Sequence, residues 1–331
     1  METSPGLDLS RWREAPHGVG YRRLTIALAG LRQLWRTRFF RLLLAAAWFG
    51  GSLIAAGGFV FSQSIATGGW LETLAAKIGP RAEAVVATAG AVVALYPDTC
   101  VHGVFTVLFW AHSFLGFWIS LLALTSLVPS LITRDRSSHA LVVYLSRPLT
   151  SSDYLLGKLG TIVGVLLLVW TGPLLLGWLL SMLFATDRDF VVYSFGPLLR
   201  ALAFNGIATV VLAAIALGVS AAGRSARITV LLWICLWTVF SAMALQPRAP
   251  AWVTRMSYTH NLGQVRQEVF QLDRALGAAS AELPLLDRNL KDSLARAGRK
   301  AESTDFGGAL AALGAFVVGA SLVFLRRLRP E

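Results

Sequence analysis

Six apolar runs, at 39–62, 104–132, 155–185, 197–222, 228–246 and 306–325, divide the chain. Each supplies about the 20 residues that a helix needs to cross the hydrocarbon core of a bilayer, or more. Backbone N–H and C=O groups find no water there, so the runs must satisfy one another as helices. A shorter run, 84–95, suits a re-entrant or interfacial helix better than a seventh span. The pattern predicts an all-α, polytopic membrane protein with six transmembrane helices.

Two segments outside the runs also carry a helical pattern. Ahead of the first run, Leu24, Leu28, Leu31 and Trp35 fall on one stripe, while Arg22, Gln33 and Arg36 lie on other faces. That division predicts an amphipathic helix lying on an anionic membrane surface. Residues 1–38 therefore read as a polar tail plus interfacial helix, and 39–331 as one six-helix membrane domain. The long segment 247–305 reads as an extracytoplasmic helical loop. Two short amphipathic helices are expected in it, at 264–276 and 285–297, divided by Pro284. They fit either a lid over the outer mouth or a packing cap on the bundle.

Composition agrees. Charged residues make up 15% of the chain and mean hydropathy is +0.62, against roughly 25% charged in soluble domains. A net charge of +12 is compatible with nucleic-acid binding, but the basic residues sit at the ends of apolar runs, so no nucleic-acid partner is expected. With the N-terminus inside, segments 1–41, 133–158, 223–227 and 326–331 hold 17 of the 30 Lys and Arg residues, and 62–103 with 186–200 hold 4. This asymmetry places both termini in the cytoplasm. The remaining 9 lie in 247–305, near the length at which charge ceases to steer translocation. No cleavable signal peptide is expected, because 38 polar residues precede a run too long for an h-region. Cys100 and Cys235 fall in a loop and an apolar run, so no disulfide is expected. With no CxxC or HExxH, neither is a metal site.

Between the second and third runs stands "ITRDRSSHALVVYLSRPLTSSDYLLGKL", residues 132–159. Ser137 or Ser138 caps a short helix over 139–146, with Leu141, Tyr144 and Leu145 on one face. Pro148 disfavours helical geometry at Arg147 and stops it. Thr150 to Asp153 then cap the third span, and Lys158 is placed to snorkel toward headgroups. Arg134, Asp135, Arg136 and His139 form a charged exposed edge. From the residues alone, a docking element and a plain connector stand equally.

The same stretch resembles the cytoplasmic segment between spans two and three of type 2 ABC-exporter permeases. The likeness covers the basic–acidic pair, the small-residue turn, the short apolar helix, the "LSRP" stop, and the Tyr154, Gly157 and Lys158 opening of the next span. The resemblance implies a coupling helix seated in a groove of an ATPase subunit. The coupling residues would be Arg134, Asp135, Arg136, Ser137, His139, Leu141, Tyr144 and Arg147. It further implies a permease of a bacterial inner membrane, pairing with a second copy or a paralogue and two cytoplasmic ATPases. Relatives of this layout serve drug or peptide export and maturation of periplasmic metalloenzymes; the cargo stays open. This chain has no GxxxxGK[ST] loop, since Gly157-Lys158-Leu159 lacks both the first glycine and the hydroxyl. ATP and Mg2+ are therefore expected in the partner ATPase, with no cofactor and no catalysis here.

Two other classes compete with this reading. Asp98, Cys100, His102 and His112 gather near the start of the second span, as an intramembrane enzyme would require. No second carboxylate or GxSxG accompanies them, so a satisfied polar contact or a cargo-pathway role is preferred to catalysis. His112 and, in the fourth span, Asn205 are the cargo-pathway candidates, with ordinary packing the alternative for Asn205. A scaffold or sensor built on the permease fold would share every feature above.

Overall fold

The computed structural model describes residues 18–65, 69–133, 135, 151–183, 185, 189–246, 250–274 and 305–328. The described residues are helical, and six helices are long and apolar enough to cross a membrane: Arg38–Gln63, Pro97–Leu131, Ser152–Leu183, Asp189–Ala222, Ala226–Ala244 and Phe306–Arg326. They coincide with the six predicted spans. The run at 84–95 lies in a helix, α4 (Pro80–Leu95), which follows α3 (Trp70–Ile78) after Gly79. It does not form a seventh span.

The predicted N-terminal helix is α1 (Val19–Trp35). Thr37 then makes the turn into α2 (Arg38–Ile65): its hydroxyl donates to the Leu34 carbonyl at 2.7 Å and accepts from the Phe40 N–H at 3.3 Å. Leu24, Leu28 and Trp35 are exposed, whereas Ala27 and Leu34 are buried. The large apolar stripe thus faces away from the bundle. The inward face combines the small Ala27 and Gly30, which permit close approach to the third span, with Ile26, Leu31 and Leu34.

The second span is α5 (Pro97–Leu131). The third is interrupted: α6 (Ser151–Leu166) passes through a π turn (Leu167–Thr171) into α7 (Gly172–Leu183). Pro173 has no N–H for the carbonyl four residues back and its ring crowds that turn. The backbone widens, and the Gly172 N–H bonds to Leu167, five residues back. Gly172-Pro173 thus stands directly after the π turn, at the start of α7. Opposite it, a Cβ on Gly51 would stand 2.5 Å from the Pro173 carbonyl oxygen, so the first and third spans cross there backbone to backbone.

The fourth span, α8 (Asp189–Ala222), packs chiefly on α5 and on α12 (Phe306–Leu328). The fifth, α9 (Ala226–Ala244), starts where the Ser225 side chain accepts from the Ile228 N–H. After it come α10 (Ala251–Met256) and α11 (Tyr258–Phe270). The sequence placed the first loop helix at 264–276. It starts earlier because the Ser257 hydroxyl caps it, accepting from the His260 N–H, and it ends at Gln271 in the left-handed region, φ 50°. Position 276 and the second expected helix, 285–297, lie outside the described residues. Tyr258, Leu262, Val265 and Phe270 are fully buried, so α11 inserts among α5, α8, α9 and α12 as part of the bundle.

Candidate functional site

The connection 134–150 joins the second span, after Thr133, to the third, which begins at Ser151. The described residues on both flanks are tied together by charge. Asp135 forms an ion pair with Lys158 at 2.7 Å, both side chains largely buried, and also accepts from the Tyr154 hydroxyl at 2.7 Å. The same hydroxyl reaches the Leu131 carbonyl at 3.1 Å. Lys158 also stands over the Tyr154 ring at 5.4 Å. One helical turn of the third span, Tyr154 to Lys158, thereby grips the departing strand of chain at Asp135.

A second pair fastens α1 to the same place. Arg23 meets Asp153, in the first turn of α6, at 2.7 Å. Below that contact α1 lies directly on α6: a Cβ on Gly157 would come 2.7 Å from the Ile26 Cβ, and Thr161 donates to the Ala27 carbonyl at 3.4 Å. Gly157 is thus the residue that lets the two helices touch. Tyr154, Gly157 and Lys158 have a common physical role. Each closes the gap between the third span and what surrounds the loop's root.

Third, the spans on the other flank are knotted. The Thr133 hydroxyl donates to the Ser220 carbonyl at 2.7 Å and lies 3.0 Å from the Thr229 hydroxyl, while the Ile132 N–H donates to the Ser220 hydroxyl at 3.0 Å. All four residues are buried. Spans two, four and five are joined there by polar contacts that the apolar surroundings strengthen.

Of the predicted coupling residues, Asp135 is described. The sequence put it on an exposed edge and put Lys158 among headgroups. Instead the two face each other, since a buried carboxylate needs a cation more than a headgroup needs Lys158. Arg134, Arg136, Ser137, His139, Leu141, Tyr144 and Arg147, with the helix expected over 139–146, lie outside the described residues.

The cargo-pathway candidates are separate from this site. His112 Nε2 lies 3.1 Å from the Trp170 carbonyl oxygen, in the π turn, and its Nδ1 has no partner among the described residues. Asn205 is buried, with neither amide atom bonded there. His102 does not join His112: it lines a cavity of about 450 Å³ with Asp98, Tyr193, Arg200 and Arg274. Among the described residues no three His, Cys, Asp or Glu side chains converge as a metal site.

That cavity lies toward the end of the bundle away from the loop root, and another of about 160 Å³ reaches from there to the middle of the second and fourth spans. The smaller is walled by Phe114, Phe117, Trp118 and Phe204, with His260 and Arg266 from α11. The Arg266 guanidinium sits 5.2 Å from the Trp110 ring centre and 5.0 Å from that of Phe114. Burial lowers the pKa of both Arg266 and His260. Neither Arg200 nor Arg266 has a carboxylate within ion-pair distance among the described residues. Sequence reasoning treated both arginines as topology charges. A signal was present: Arg200 sits inside an apolar run, and Trp110, Phe114 and Trp118 recur at i, i+4, i+8.

No curated protein matches the chain. Residues 114–273, from the second span through α11, match the family model described as ABC-2 family transporter protein. They include the whole 134–150 connection with the Asp135–Lys158 and Tyr154 contacts at its root. That match covers just under half of the chain, and with the six long apolar helices it marks a multi-pass membrane protein that carries a region similar to ABC-2 transporters.

Proposed function

We propose that this chain is the membrane subunit of an ATP-driven exporter, working with a second permease copy or paralogue and two separate ATPase subunits. The 134–150 connection is its coupling element, and the end of the bundle that carries it faces the cytoplasm of a bacterium, with the protein in the inner membrane. The observation that carries this reading is the fastening of the connection's root by Asp135, Tyr154 and Lys158, beside the Arg23–Asp153 pair. A connector that only joined two spans would need no such bracing. A lever needs it, because force applied to a loosely hinged loop is lost as loop motion. Here a push on the connection would carry α1, the third span and, through Thr133, the second, fourth and fifth spans together.

ATP and Mg2+ would act in the ATPase, so this subunit's contribution is mechanical rather than catalytic. Arg134, Arg136, Ser137, His139, Leu141, Tyr144 and Arg147 would supply the contact surface. Each state of the bundle must differ in its affinity for ATPase conformations or cargo for the coupling to work.

The test is Arg134→Glu with Arg136→Glu in the reconstituted complex. Reversing two charges at a docking edge replaces attraction by repulsion. The variant should insert normally but lose most ATPase co-purification and cargo-stimulated hydrolysis. Unchanged ATPase binding and transport would reduce the loop to a connector. A permease that inserts, binds no ATPase under gentle extraction and leaves ATP turnover insensitive to it would instead be the scaffold or sensor.

A further inference from the structure

We propose that the cavity between α5, α9 and α11 is a binding site for a small amphipathic anion, with one negative group against Arg266 and an apolar body about the size of one aromatic ring. Four observations converge on it. First, the walls are apolar and largely aromatic: Phe114, Phe117, Trp118 and Phe204, closed by Leu245 and Leu262. Second, the volume is about 160 Å³, close to the roughly 150 Å³ of a dry cavity that holds a benzene ring.

Third, the polar groups are few and sit to one side. Ser241 and Thr259 bond to each other, and the Gln264 amide lies 3.0 Å from His260 Nε2. Those side chains already have partners. Arg266 does not: its Nε is buried with no hydrogen-bond acceptor among the described residues. The nearest acid along its own helix, Glu268, is held by Arg274 at 3.3 Å. Arg266 is half-buried, and a guanidinium whose Nε is shut off from solvent without an acceptor attracts an anion; its two ring contacts hold it in place without neutralising it. Fourth, Gly263 lines the cavity, and a Cβ there would meet nothing within 4 Å. The helix presents its smallest residue where a ligand would lie. Sites of this composition, an apolar pocket with one placed polar anchor, are the usual form of small-molecule binding sites.

The probe is 4-fluorobenzoate, with neutral 4-fluorobenzyl alcohol as its near-isostere, followed by fluorine NMR on the full chain in zwitterionic nanodiscs. Empty nanodiscs set the partitioning baseline. Saturable line broadening by the anion is expected, at least tenfold tighter than by the alcohol. Arg266→Gln should weaken it tenfold or more. Gly263→Leu fills open space, so it should fold as the wild type does and abolish binding. Equal binding of the alcohol, no saturable binding of the anion, or undiminished binding by Gly263→Leu would each overturn the site. The measurement involves no ATPase, so its failure would leave the transport reading standing.

Discussion

The root of the 134–150 connection and the cavities beside Arg200 and Arg266 treat polar groups in opposite ways. Around the root of the 134–150 connection, Asp135, Asp153, Tyr154, Lys158 and Thr133 all have partners on another segment. By contrast, Arg200 and Arg266 lack carboxylate partners among the described residues, the buried Tyr258 hydroxyl has no partner there, and two cavities lie beside the two arginines. The energetic meaning differs accordingly. A satisfied buried network resists deformation, since moving one member leaves another stranded. An unsatisfied one gains by meeting something new. The first arrangement suits transmission of force and the second suits reception of a ligand.

The contrast is most exposed to Lys158→Met. The substitution keeps the length and apolar stem of the side chain but takes the Lys158 ammonium from Asp135, whose side chain is 17% exposed. Breaking one partner of a buried pair costs about 3–5 kcal/mol, and the residual exposure places this case near the lower figure. Thermal unfolding in nanodiscs should show a clear loss. Asp135→Leu with Lys158→Met should regain most of it, because both charges then disappear together. If Lys158→Met unfolds with the wild type, the root is not a braced structure, and the mechanical argument loses its support.

A smaller effect is expected at Thr133. Thr133→Val preserves shape and removes the hydroxyl that donates to Ser220 and meets Thr229, costing about 1–2 kcal/mol. Thr238 provides the comparison within the fifth span: its hydroxyl bonds to Ile234 of the same helix. Thr238→Val should be nearly silent in the same melting experiment. Equal losses would show that the cross-span knot counts for no more than an ordinary back-bond.

Much of the architecture was legible in the sequence, and the failures have a common cause. Spans announce themselves through length and apolarity, which act locally, and Gly172-Pro173 announces a helix defect for the same reason. Contact faces do not. The stripe of Leu24, Leu28 and Trp35 on α1 is easy to see, but it stays exposed and says nothing of what α1 touches in the bundle. Ala27, Gly30 and Gly157, which mark the real interface, carry almost no hydrophobic signal. In a membrane, large apolar residues are content in lipid, so the inward face is read from small residues. Arg23 and Asp153 lie 130 positions apart, and nothing local in either segment names the other. The start of α11 was misplaced because Ser257, a lone cap, was outweighed by the mixed charge pattern further on. The Lys158 reading failed because snorkelling presumes that no acid is near.

The last prediction applies one substitution to both regions. At the root, Gly157→Ala pushes a Cβ to 2.7 Å from the Ile26 Cβ and 2.8 Å from its Cγ2. Both atoms belong to a branched side chain on a packed helix, so α1 must shift outward and strain the Arg23–Asp153 pair. Overpacking of this kind costs about 1–3 kcal/mol, offset in part by the helix preference of Ala over Gly, about 0.8–1 kcal/mol. The net should be a modest loss. At the cavity beside Arg266, Gly263→Ala adds the same methyl where nothing lies within 4 Å. The helix preference then acts unopposed, and α11 should gain something under 1 kcal/mol. Melting curves of the two variants should therefore move in opposite directions. Should both rise, α1 is free to give way, and the tight fit at the root is no constraint; should both fall, the space beside Gly263 is already filled.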